Sequence, residues 1–364
     1  MPDKRSRFRG ALLGLAVGDA MGYTVDSKSL SEIREDYGPN GLLGYDLVNG
    51  YADVTSYTQL AAFTANGLLL GLTRGRMRLA MAPMVRYIGV ALKEWSRSQH
   101  YCQQEKNHCW LSGYPQLKRR CCMDTWILTT LSRDTLGTME EPASRSDHPS
   151  ALPEVIPVSL LSGILEFSQE EINRLGAETV ALTHGHPAAF LSGAVLTHAA
   201  SQILMQPEMT LPQRVQDVID HIQFQFGREY SQTTKIWELL HLAQTLAASD
   251  IPQAEAMEQL GCRTSPEVLA GALYACATCH GDFDAAMITA VNHSGRSAAV
   301  GAVTGALLGL FMGEEALPEF YLECLEPAQL LRELADDLLQ GCPMDLRSSL
   351  FDDDWDRKYL HAGQ

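Results

Sequence analysis

Residues 9–22 read Arg9-Gly10-Ala11-Leu12-Leu13-Gly14-Leu15-Ala16-Val17-Gly18-Asp19-Ala20-Met21-Gly22. Gly10, Gly14 and Gly18 recur every four residues, and Gly301, Gly305 and Gly309 repeat the spacing near the other end of the chain. On a helix this spacing makes one bare stripe. Glycine inside a helix costs about 1 kcal/mol relative to alanine, so two such stripes need a packing reason. The simplest is close backbone approach between two buried central helices.

Outward from these stripes, apolar residues continue at three- and four-residue spacing through Leu60, Phe63 and Leu68, and again from Met81 to Trp95. Alternating runs are scarce. The expectation is an all-α fold, one domain over residues 1–364, with the site carried on loops. The polar, proline-bearing stretch from Ser132 to Pro157 is expected to be a long surface loop. Gln206 to Pro212 is another weakly periodic segment, and Asp352, Asp353, Asp354 and Asp356 read as a solvated acidic face.

A chain of 364 residues that is 46% hydrophobic can build a large core. Its formal net charge of −16 repels a phosphate backbone and an anionic membrane surface, so neither nucleic acid nor membrane is expected as a partner. No run of about 18 apolar residues suggests a membrane span. Lys4, Arg5, Arg7 and Arg9 before the apolar Gly10 to Val17 imitate a secretory signal, but Asp19 interrupts that pattern. Nine cysteines, odd in number and unevenly spaced, read as reduced thiols of a cytoplasmic protein. Cys276, Cys279 and His280 spell C-x-x-C-H, yet Val268 to Ala277 is apolar and helical in pattern, which favours buried thiols over haem attachment.

Further blocks follow the glycine-rich opening in order: Tyr57-Thr58-Gln59-Leu60 with Phe63-Thr64-Ala65, then Leu182-Thr183-His184-Gly185-His186-Pro187, then Ala290-Val291-Asn292-His293-Ser294-Gly295. With the opening, these make the chain resemble the ADP-ribosylglycohydrolases over nearly its whole length. The resemblance implies an all-helical bundle. It also implies two Mg²⁺ ions held between a Ser/Thr-Asp-Asp-Thr motif and a Gly-Asp-x-Asp-Thr motif, where they position ADP-ribose for cleavage. Such hard cations need several oxygen ligands, carboxylates above all.

The matching positions here read Thr55-Ser56-Tyr57-Thr58 and Gly295-Arg296-Ser297-Ala298-Ala299. Of the six ligand positions the resemblance implies, only Thr55 is kept. Four negative charges are gone and one positive charge has appeared, in two motifs far apart in sequence. The joint loss is coherent, because leftover carboxylates without their cations repel each other in low dielectric. The family's Ser-Lys-Gly-Cys-Gly-Gly loop is replaced by Ser146-Asp147-His148-Pro149-Ser150-Ala151, and its Gly-Asn-Thr by Met123-Asp124-Thr125.

The expected cleft is formed by Asp19, Thr55, Ser56, Tyr57, His184, His186, His293 and Arg296, with no metal and no cofactor. Asp19 either contacts ribose or caps a helical turn. Asp53 is a lone loop acid that cannot replace four carboxylates. His184 and His186 either shape the cleft and a helix start or work as an acid-base pair. Arg296 puts a fixed cation where the family puts a dication, and either grips a diphosphate bidentately or pairs with an acid. Tyr57 projects into the former metal cavity. The expected function is binding, of an ADP-ribose-like ligand or a protein partner. The alternative is metal-independent hydrolysis of an N-glycosidic bond, with Asp19, Asp53 or His184 as acid or base.

Overall fold

The computed structural model describes residues 2–78, 83–99, 108–121, 123–279, 281–347 and 350–362. Among them are seventeen α-helices and no strand. The first eight are α1 (Lys4–Tyr23), α2 (Leu30–Tyr37), α3 (Ser56–Arg78), α4 (Met84–Gln99), α5 (Thr125–Leu131), α6 (Ile156–Leu160), α7 (Gln169–Ala181) and α8 (Pro187–Met205). Then come α9 (Leu211–Phe226), α10 (Gln232–Ala247), α11 (Gln253–Leu260), α12 (Ser265–Thr278), α13 (Phe283–Val291), α14 (Ser297–Met312), α15 (Glu319–Glu323), α16 (Ala328–Gln340) and α17 (Asp353–Tyr359).

The two glycine stripes face each other across an antiparallel seam between α1 and α14. A methyl group built on Gly10, Gly14 or Gly18 would collide with the carbonyl oxygen of Gly309, Gly305 or Gly301 respectively. Only bare backbone fits, which is the return for three poor helix formers on each side. Arg7, buried on α1, donates to the carbonyls of Leu310 and Leu204, each at 3.0 Å, so it satisfies helix-end acceptors of both α14 and α8. Asp336 of α16 holds Arg9 at 2.6 Å on the outer side.

Around this seam pack α3 with α4, α7 with α8, α10 with α12, and α13 beside α14. The α8 helix is long and apolar enough to cross a membrane by length and composition, which the run-length reading of the sequence did not register. Its apolar window is 83% buried inside the protein, so it serves as a core helix. The acidic tail is half solvated: Asp353 and Asp354 are exposed, but Asp352 caps α17 and Trp355 is buried, donating to Thr73 Oγ1 at 2.9 Å.

One expectation is corrected. Residues 132–148 form a loop, but Pro149 onward does not stay on the surface. Leu152, Val155 and Ile156 carry two short 3₁₀ turns and α6 into the core. Their apolar side chains outweigh the prolines that marked the segment as loop, and each proline sits in the first turn, where its missing N–H is harmless. Cys279 is buried and Cys276 partly so, both as free thiols. His280, the third member of that motif, and Met81 lie outside the described residues.

Candidate functional site

Asp19 lies inside α1, not at its end, and is fully buried. Its carboxylate accepts four hydrogen bonds: from the amide and hydroxyl of Thr55 at 2.8 and 2.6 Å, and from the amide and hydroxyl of Thr58 at 3.1 and 2.6 Å. These are orphan donors at the start of α3, so Asp19 caps that helix from across the fold. Burial lifts its pKa to about 6 against the pull of the four donors.

The rest of the first motif is closed as well. Ser56 Oγ accepts the Met123 amide at 3.0 Å. Tyr57 is fully buried, its phenol has no hydrogen-bond partner, and burial holds its pKa far above the usual value. Asp53 is ion-paired with Arg119.

The second motif opens α14. Arg296 is one-third exposed and donates to Ser27 Oγ at 2.7 Å, while Asp26 Oδ2 lies 3.5 Å from the same nitrogen. Sequence reasoning passed over Asp26. It is 4% exposed at the side chain, and its Oδ1 accepts the Ala298 amide at 3.1 Å, capping α14. Burial raises its pKa, with the Ala298 amide and Arg296 working against the rise. The acid that Arg296 faces is therefore Asp26. Beside it opens a polar cavity of about 320 Å³ lined by Ser27, Ser29, Glu32, Arg263, Ser294 and Arg296, among others. His293 does not face this space: fully buried, it donates to the Ala290 carbonyl and accepts the Gly295 amide, both at 2.9 Å, and burial lowers its pKa to about 4.

A third group forms around His184, which the sequence singled out, together with Asp124, His148 and Ser150, which it did not. His184, 1% exposed, brings Nε2 to 2.9 Å from Ser150 Oγ and 3.2 Å from Asp124 Oδ2, and its Nδ1 lies 2.8 Å from Thr183 Oγ1. His148 places Nδ1 3.8 Å from the same Asp124 oxygen. The serine and the carboxylate meet the same imidazole nitrogen, so this is no nucleophile-base-acid relay, which needs them on opposite nitrogens. Burial would raise Asp124, but the hydrogen bonds from His184 and the Trp126 amide outweigh it and hold the carboxyl at about 2. Burial, opposed by Asp124 and reinforced by Arg296, lowers His148 to about 4. His186 stands apart as the cap of α8, accepting the Ala188 amide at 3.2 Å. The only sequence signal for Asp124 and His148 was their position in stretches that depart from the related motifs.

An all-helical bundle built on an antiparallel glycine seam between α1 and α14 defines a class of fold, and the comparison with known proteins names the family. Residues 1–346 match the ADP-ribosylglycohydrolase family, and the chain belongs to it. An uncharacterized protein of Archaeoglobus fulgidus is 24% identical over 343 residues, which cover 92% of this chain and 96% of that one. A solved structure described as an ADP-ribosylglycohydrolase-related protein complex shares the fold with a TM-score of 0.57 and 22% identity, over 94% of this chain and 99% of its own.

Proposed function

We propose that this family member works by binding an ADP-ribose-like anion in the Arg296 cleft, without the paired Mg²⁺ ions of hydrolytic relatives. The observation that carries the reading is Arg296 itself, a guanidinium open to a polar cavity and held by Ser27, with Asp26 at hydrogen-bond limit. Arg263 and three serines lie around the same space, whose volume is within the roughly 300–1,000 Å³ of small-ligand pockets. Glu32 also lines it, but its carboxylate is engaged by Ser29.

The residues at the two motifs do not fit a pair of Mg²⁺ ions. Such ions require several free oxygen ligands. Ser56 accepts an amide, Tyr57 is held as a neutral phenol, Ala298 has no donor atom, Arg296 is cationic, and both oxygens of Asp19 are taken by threonine donors. The hydrolytic alternative finds less support, since Asp19 and His184 are buried and Asp53 is paired with Arg119.

Calorimetric titration of ADP-ribose into the wild type and Arg296→Ala tests the proposal. A charge-assisted contact to the guanidinium should make the variant weaker by about tenfold or more. Binding by neither protein turns the reading towards a protein partner. Equal binding by both leaves Arg296 as a structural plug.

A further inference from the structure

We propose that the apolar pocket enclosed by α8, α9, α10, α12 and α14 binds a short-chain aliphatic carboxylate, whose charge is met by the buried guanidinium of Arg214. The pocket shares no residue with the Arg296 cleft and does not depend on how that cleft is read.

Five helices contribute its walls. Val195 of α8, Val218 of α9, Leu240 of α10 and Leu269 of α12 are buried, whereas Leu273 of α12 and Leu307 of α14 are only half-buried, so an apolar floor lies below an open rim. The volume is about 70 Å³. A group the size of water takes about 10–15 Å³ of such space, so the pocket holds about five to seven of them, which matches an alkyl chain of hexanoate's length. Among the described residues Arg214 is the one charged residue on its wall.

Arg214 of α9 is 6% exposed. Its Nη2 donates to the Gln206 carbonyl at the end of α8, at 2.6 Å, while Nη1 is buried and has no partner among the described residues. A buried donor without an acceptor bears its full desolvation penalty, the more so when it is charged, and such a group in a native protein needs an explanation. The charges around it do not supply one. Arg7, itself 5% exposed, adds positive charge, and its own donors go to the carbonyls of Leu310, Leu204 and Ile203. Glu208 is the acid whose charge Arg214 feels, but it is exposed and forms no ion pair with it. Burial lowers the pKa of both arginines, yet a guanidinium does not give up its proton in a protein. Two cations are thus buried in one region with no carboxylate paired to either among the described residues.

The wall chemistry narrows the anion. A phosphate brings three oxygens, and an apolar pocket with one guanidinium would leave some of them buried without a donor. A carboxylate brings two, which a single arginine can satisfy by a charge-assisted contact. Its alkyl chain is then removed from water against leucine and valine. The two larger cavities, about 620 and 630 Å³, lack this combination. Their cations, Lys4 and Arg76 on one and Arg86 and Lys93 on the other, are exposed or already donate to carbonyls.

The test is calorimetric titration of sodium hexanoate, and of 1-hexanol as its neutral counterpart, into the full chain and into Arg214→Met. Methionine keeps an apolar stem on the wall and removes an unpaired buried charge, so the variant is expected to fold. The expected result is one equivalent of hexanoate in the wild type, with binding weaker by about tenfold or more in Arg214→Met. Hexanol should bind the wild type more weakly than hexanoate by a similar factor and should not distinguish the two proteins. No saturable binding of hexanoate, undiminished binding by Arg214→Met, or equal binding of hexanoate and hexanol by the wild type overturns the proposal. Displacement of hexanoate by ADP-ribose would put it in the Arg296 cleft and overturns it too. Should the variant fail to fold, the comparison of hexanoate with hexanol in the wild type decides.

Discussion

The hydroxyl of Thr58 donates to Asp19 Oδ2 at 2.6 Å, so a carboxylate in the interior of α1 serves as the cap of α3. The same oxygen pair also receives Thr55, and no solvent reaches any of these groups. Asp19→Ala would leave four buried donors without an acceptor and should destabilise the protein by at least about 3 kcal/mol. Asp19→Asn should cost less, because the amide oxygen still accepts. Urea unfolding of the two variants checks this; an alanine variant as stable as wild type would show the cap to be dispensable.

The glycine seam makes a sharper demand. Gly14→Ala improves helix propensity by about 1 kcal/mol, yet its methyl collides with backbone of Gly305, which cannot rotate aside. Overpacking should win, giving a net loss of about 2 kcal/mol or more. Gly89→Ala on α4 is the control. There the methyl meets Leu136 Cδ1 at 2.8 Å, the far end of a flexible side chain, and touches Leu182 Cδ2 at an ordinary 3.8 Å. The control should stay within about 1 kcal/mol of wild type in the same unfolding assay.

His293 makes a pH-dependent contribution to stability that a single variant can isolate. It titrates near 4 in the folded protein against 6.5 as the reference, so between those values the unfolded chain binds the extra proton and this residue's contribution to stability is lost as pH falls. Buried carboxyls raised in the folded state, Asp19 to about 6 and Glu154 and Asp26 in the same direction, work in the opposite sense over the same interval. The variant separates the two: His293→Gln should lose about 2 kcal/mol less than the wild type between pH 7 and pH 5 in urea unfolding. An identical pH dependence for both proteins would contradict the assignment.

Millimolar Mg²⁺ should leave the melting temperature unmoved, because a ligand that binds only the native state must raise it. Thermal scans with and without the ion, and with a chelator, measure this directly. A rise of several degrees with Mg²⁺ would mean that oxygen ligands other than those of the two motifs have been recruited.

The seam and the helical class were legible because glycine at four-residue spacing has one economical explanation, and the structure supplies it. The buried turns after Pro149 were not legible, since proline marks both a surface loop and a first helical turn, and only tertiary packing distinguishes them. Asp19 was recognised as a capping candidate, but the helix it caps could not be named without knowing that α1 passes the start of α3. Asp26 carries no motif at all. Its importance arises from lying under Arg296 and beside the Ala298 amide, a relation between residues far apart in sequence.

The α1–α14 seam also dictates when the protein can fold. Nearly every residue of α1 from Phe8 to Gly22 is buried, and its principal partner begins only at Ser297. As the chain leaves the ribosome, α1 must therefore wait for residues 24–296, which separate it from α14, to emerge. Long-range closure of this kind is slow and leaves apolar surface open to aggregation in the meantime. Nascent chains arrested before Ser297 should accordingly be protease-sensitive and held by chaperones, and protection should arrive in one late step as α14 clears the exit tunnel.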